Sequence, residues 1–183
     1  MNSLSVFVVV AGKQYALKGM IDYIFDAPRH NESIVDFGCL YVTPWNIVED
    51  MLLTKVYCNN MNGNEYEQII LSLEASEHKG DPSIDEYFEN THIVAACAMF
   101  REIAYVIHAH TRTQLAYAVH ADTENLHAHY VINSVRLDNG LKVQLNKKAL
   151  LDLKADVNKV LEAKGFSLIR SRADVNKYLA IVA

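Results

Sequence analysis

The chain has 183 residues, 51% hydrophobic and 21% charged, with only 7 Gly and 3 Pro, which excludes a disordered, collagenous or low-complexity protein. Its formal net charge is −5, from 17 Lys and Arg against 22 Asp and Glu, and that sum alone argues against a nucleic-acid binder. The length suits one domain, residues 1–183, able to bury a core without disulfide or zinc staples.

The run Val6–Val10 is β-branched and bounded by Gly12, the pattern of a buried strand. Leu17, Met20, Ile21 and Ile24 recur at helical spacing and predict a helix from about Ala16 to Asp26, ended by Pro28. Leu40–Val42 reads as a short strand. Thr43-Pro44 sets an N-cap residue before a proline at the first helical position, opening a helix over about Trp45–Tyr57 that stops in the Asn59–Gly63 cluster. Tyr66–Leu73 reads as a strand and Gly80-Asp81-Pro82 as a turn. A long helix follows from about Ile84 to Ile107, with apolar residues at 84, 88, 95, 99, 103 and 106.

Two strands come next, Gln114–Ala121 and His127–Val135, separated by the short polar stretch Asp122–Leu126. Asp138-Asn139-Gly140 is a turn signal between extended segments. Asn146 caps a helix running to about Lys164, which Gly165 terminates. Phe166–Ile169 is extended again, and Ala173–Ile181 forms a last short helix. The mixed order, with its late consecutive strands, predicts an α+β fold: a two-layer sandwich with a central antiparallel sheet flanked by helices.

The charge is unevenly placed. Residues 1–135 hold 7 basic and 17 acidic side chains, a net of −10, whereas residues 136–183 hold 10 and 5, a net of +5. Such a split suits a polyanion-facing region, about 146–183, on an acidic body; the alternative is a pair of solvated Lys-rich helices. Cys39, Cys58 and Cys97 are widely spaced and odd in number, which fits a reducing cytoplasm and no disulfide framework. Val6–Ala11 is too short for a signal core or a membrane span, and no other stretch approaches 18 uninterrupted apolar residues. A soluble cytoplasmic protein without membrane insertion is expected.

The histidines carry the chemistry. On a strand, His127 and His129 point to the same side, with Cα atoms roughly 6.5–7 Å apart, because a strand rises about 3.3 Å per residue. If the preceding strand pairs antiparallel through the short connection, His120 lies across from His127. Three imidazoles then converge on one face of two strands, which suits a divalent metal with open coordination positions. Asp122, two residues after His120, is a candidate to orient one ring by accepting its second N–H. His108-Ala109-His110 repeats the spacing but follows the end of the long helix, where cationic side chains have an ordinary dipole explanation. It is assigned no metal role, and neither are His30, His78 and His92.

The run His120-x-Asp122-x4-His127-x-His129, followed by Asn133-Ser134, resembles the three-histidine motif of conjugative relaxases, mobilisation nucleases of the His-hydrophobe-His endonuclease superfamily. Met20-Ile21-Asp22-Tyr23-Ile24-Phe25-Asp26 resembles the helix bearing the nucleophilic tyrosine in the tyrosine-using branch. Gln68-Ile69-Ile70-Leu71-Ser72 resembles a sheet strand of the same domain, with Gln68 where the family often shows a His. Asn146–Ile169 resembles the end of the relaxase domain. The likeness spans nearly the whole chain, in order, and fits the N-terminal domain of a longer relaxase.

This resemblance implies a site- and strand-specific nick in plasmid or integrative-element DNA at an origin of transfer. Tyr23 is then the nucleophile, leaving a 5′-phosphotyrosine and a free 3′-OH, with His30 as the alternative nucleophile used by another branch. His120, His127 and His129 would hold Mg²⁺ or Mn²⁺ at the scissile phosphate, with Asp122 beside them and Asn133 as a supporting residue or merely a strand polar group. Lys142, Lys147, Lys148, Arg170 and Arg172 are the candidate DNA-phosphate contacts. The implied partners are origin-of-transfer DNA, single-stranded at the nick site, with accessory relaxosome proteins and a coupling protein in a bacterial cytoplasm. The alternatives are a rolling-circle replication or transposition nuclease of the same superfamily, or a DNA-binding module without turnover.

Overall fold

The structure is a computed structural model, which describes residues 6–11, 16–25, 34–73, 82–121 and 126–169, with side chains of the longest helix from residue 93 onward. The elements in chain order are β1 (Val6–Ala11), α1 (Leu17–Phe25), β2 (Ile34–Leu40), α2 (Ile47–Tyr57), β3 (Tyr66–Ser72), α3 (Pro82–Thr111), β4 (Thr113–His120), β5 (His127–Arg136) and α4 (Lys147–Ala163). The five strands form one sheet in the order β1-β3-β5-β4-β2, and every neighbouring pair is antiparallel. The expected last helix, Ala173–Ile181, lies outside the described residues.

The α+β sandwich with a helix-flanked antiparallel sheet is the fold the chain adopts. Helices flank the sheet on both faces. The reason lies in β4 and β5, whose alternating residues are buried on either side. On one face Ile69, Tyr117, Tyr130 and Ile132 pack against Phe100 and Ile103 of α3 and Leu153 and Val157 of α4. On the other, Ala116, Ala118 and Val131 meet Leu17, Ile21 and Ile24 of α1 and Ile47 and Met51 of α2. The alanines on that second face leave room for α1 to lie close to the strands.

Within α3, Ile93–Thr111 is the one stretch among the described residues long and apolar enough to cross a bilayer. Its Met99, Phe100, Ile103 and Ile107 are fully buried in the core, which accounts for the composition.

The strand expected at Leu40–Val42 lies earlier, at Ile34–Leu40. Asp36 and Gly38 disguise it, since neither favours strands by propensity. Both are explained by Tyr117 on the neighbouring strand. The Tyr117 hydroxyl points to the Asp36 carboxylate at 3.4 Å, which also receives Arg101 at 3.1 and 3.2 Å. Gly38 lies beneath the Tyr117 ring, where an added Cβ would sit 2.7 Å from Cε1 and 2.9 Å from the hydroxyl oxygen. Because that ring is buried and held, Gly38→Ala is expected to cost about 1–3 kcal/mol, as overpacked sites do. Thermal unfolding tests it: an unchanged midpoint would show that the ring swings aside.

On α2, the inner face carries Lys55, fully buried beside Met51. Its ammonium has no hydrogen-bond partner among the described residues. Burial, offset in part by the Glu65 charge and reinforced by Lys142, pulls its pKa down to about 8 from 10.5. The folded chain therefore holds this proton less tightly than the unfolded chain. The penalty is present in full below about pH 8 and fades as pH rises to 10.5, so stability climbs across that window. Lys55→Met is expected to stabilise the fold by on the order of 1–3 kcal/mol at pH 7 and to remove the climb. Denaturant midpoints of both proteins between pH 7 and 10.5 check this, and parallel profiles would contradict it.

Candidate active site

His120 on β4 and His127 on β5 are direct register partners across the antiparallel ladder. His129, two residues further along β5, shares their face, so strand alternation brings the three rings together. Their centroids form a near-equilateral triangle of 5.4, 5.1 and 5.1 Å. One ring nitrogen from each lies within 4.8 Å of the others. An ion bonded to each nitrogen at about 2.1 Å holds its donors at most about 4.2 Å apart, so small ring rotations close the set on a divalent cation. His120 and His129 are buried and His127 is partly open, leaving a side for further ligands. Three neutral imidazoles in this arrangement fit a catalytic metal.

Two of the rings are oriented from behind. His120 Nε2 lies 2.9 Å from the Ile24 carbonyl oxygen at the end of α1. A carbonyl only accepts, so Nε2 carries the proton and Nδ1 keeps the lone pair that a metal needs. His129 Nδ1 lies 2.9 Å from the amide nitrogen of Gln68, which is buried on the adjacent β3. As placed, the Gln68 amide donates to Nδ1; the opposite amide orientation, with its oxygen accepting from Nδ1–H, is the one that gives Nε2 the lone pair a metal needs. Gln68 stands out in the sequence as a polar residue among Ile69, Ile70 and Leu71, yet its contact with His129 appears only once β3 and β5 are paired. The Ile24 carbonyl leaves no sequence signal at all.

Tyr23 reaches the same place from above. Its ring meets the His129 ring edge-on, 5.8 Å between centroids and 87° between planes. The helix is held at both ends: the Leu17 amide donates to the Glu65 carboxylate at 2.8 Å, and Ile24 receives His120. A carboxylate at a helix N-terminus satisfies an otherwise orphaned N–H and suits the dipole. Tyr23, His120, His127 and His129 are thus gathered in one site.

Other candidates fall elsewhere. Asn133 is four residues beyond His129, and its amide donates to the Met51 carbonyl at 3.0 Å and to Gln114 at 2.8 Å. It fastens α2 to the sheet and orients no histidine. Lys142 is half-buried, donating to the Asn64 carbonyl and the Ser134 hydroxyl, with its pKa lowered by burial. Its ammonium is held within the chain. Lys147 and Lys148 are exposed at the start of α4, which packs on the α3 side of the sheet. That is the layer opposite the histidines and Tyr23. Asp122, His30, Arg170 and Arg172 lie outside the described residues. His108 and His110 diverge: His108 Nδ1 donates to the Thr113 carbonyl and its ring stacks on Tyr41, while His110 pairs with Asp156.

Comparison with known protein families matches residues 23–166 to the family described as relaxase, MobA/VirD2-like, nuclease domain. The matched stretch begins at Tyr23 and includes all three histidines. No curated protein matches the chain. Among solved structures, one described as the molecular basis of vancomycin resistance transfer in Staphylococcus aureus superposes with a TM-score of 0.57 at 16% identity. The match covers 92% of this chain and 97% of that one. At that identity the superposition speaks for the fold.

Proposed function

This chain belongs to the MobA/VirD2-like relaxase nuclease family, and from that membership we propose that it nicks one DNA strand at an origin of transfer by transesterification through Tyr23. The observation that carries the proposal is the Tyr23 ring set edge-on against His129, inside a cluster of three convergent imidazoles. In this chemistry the Tyr23 oxygen bonds the scissile phosphorus, the P–O3′ bond breaks, and the departing oxygen takes up a proton as a free 3′-OH. The phenol proton leaves to solvent or a nearby base, and the 5′ phosphate stays on Tyr23. One phosphodiester replaces another, so the strand can be rejoined.

A Mg²⁺ or Mn²⁺ ion held by His120, His127 and His129 would neutralise charge on the non-bridging phosphate oxygens. The Ile24 carbonyl and Gln68 fix the ring orientations, and α1 sets Tyr23 beside them, so little reorganisation is needed when DNA arrives. The substrate is DNA made single-stranded at the nick, with accessory relaxosome proteins and a coupling protein in a bacterial cytoplasm.

The test uses labelled oligonucleotides tiled across a candidate origin, with Mn²⁺, resolved on a denaturing gel. A covalent protein–DNA species that EDTA abolishes is expected. Binding without any adduct on origin DNA would instead make the chain a DNA-binding module.

A further inference from the structure

Helix α2 is apolar on two sides. Its inner side buries Ile47, Met51 and even Lys55, while Leu53, Val56 and Tyr57 face outward at 65%, 59% and 93% exposure. Trp45, just before the helix, is 79% exposed and continues the outer stripe, and Met61 lies just past its end. A helix that buries a lysine on one side and shows leucine, valine and tyrosine on the other is shaped for contacts on both. The inner contact is the sheet. We propose that the outer one is a second copy of this chain, with α2 packed antiparallel against α2 about a two-fold axis near Leu53.

The stripe is self-complementary. An antiparallel pairing centred on Leu53 sets Leu53 against its own mate and turns Trp45, just ahead of the helix, toward the C-terminal end of the second copy's α2. It also brings Glu49 level with Tyr57. Glu49 is the one charge in the exposed stripe, and this alignment gives it a phenol hydroxyl to accept from, keeping the two carboxylates apart. Isologous pairing of one patch with itself is the commonest route to a dimer. The area is adequate: Trp45 and Tyr57 alone expose roughly 300–400 Å², about half of the ~800 Å² each partner gives to a standard interface. A nucleic-acid strand fits less well, because the stripe offers aromatic rings but no exposed cation to meet phosphates. The surface is separate from the histidine site, so this inference does not rest on the nicking proposal.

Trp45 is the only tryptophan in the chain and therefore reports on the surface directly. In sedimentation and light scattering the full chain is expected to run at twice 20.6 kDa at micromolar concentrations. Dilution should shift Trp45 emission to the red as the surfaces separate. Leu53→Glu, an exposed change, should keep the circular-dichroism spectrum, run at 20.6 kDa and emit in the red at every concentration. A wild-type chain that stays monomeric with constant emission would overturn the proposal, as would a Leu53→Glu chain that still dimerises. Emission that moves only on adding a single-stranded oligonucleotide would also overturn it and give the surface to DNA.

Discussion

Replacing Tyr23 by Phe is expected to abolish the covalent protein–DNA species and to lower nicking by at least about 10³-fold, the scale on which a preorganised site loses rate with its nucleophile. The ring that packs edge-on against His129 stays in place in this variant, so the α1 contacts with His120 and Glu65 persist. Fold and DNA affinity should then change little, since only one hydroxyl is removed. Equilibrium binding measured beside the denaturing gel separates the two effects. A covalent band of undiminished intensity from the Phe variant would move the nucleophile off Tyr23, with His30 the first alternative to replace.

The second large effect is on the metal. His129→Ala is expected to weaken Mn²⁺ binding, measured by titration calorimetry on chelator-treated protein, by more than about 100-fold, since losses of 10–100-fold already follow from disturbing a supporting partner. Gln68→Leu should fall within that lower range, because His129 keeps its nitrogens but loses the bond that turns them. His129 is also a buried side chain, and its loss leaves Gln68 unsatisfied, costing about 1–3 kcal/mol of stability without metal. Unfolding midpoints in EDTA measure that part alone. Equal Mn²⁺ affinity in wild type and His129→Ala would refute the three-histidine site.

The histidine cluster was legible because strand geometry is local. Alternation along β5 puts His127 and His129 on one side, and a short connection to β4 leaves few registers for His120. Tyr23 was legible as part of a motif, but its contact with His129 depends on how α1 crosses the sheet. The layer of a helix is a tertiary property, so the basic residues of α4 could not be placed opposite the histidines from their charges. Lys142 looked like a phosphate contact because a lysine's role follows from its neighbours, here Asn64 and Ser134. Asn133 sits in sequence near the histidines and in space near Met51 and Gln114. Strand β2 was misplaced because Asp36 and Gly38 answer to Tyr117, some 80 residues downstream. For α2 the start and stop signals bound the helix, but they do not say which of its faces meets the sheet.

The sheet order also governs when the site can come into being. Strand β5 is the last of the five in the chain yet the central one in space, seated between β3 and β4. A nascent chain that has emerged only as far as β4 can form a β1–β3 ribbon and a β2–β4 ribbon, each with an open edge where β5 belongs. Gln68 then sits on one ribbon and His120 on the other, with nothing joining them. The final strand closes both edges in one step and delivers two of the three histidines as it does so. Before that closure the ribosome-bound chain presents an aggregation-prone gap, and the three-histidine cluster cannot assemble on a half-made protein.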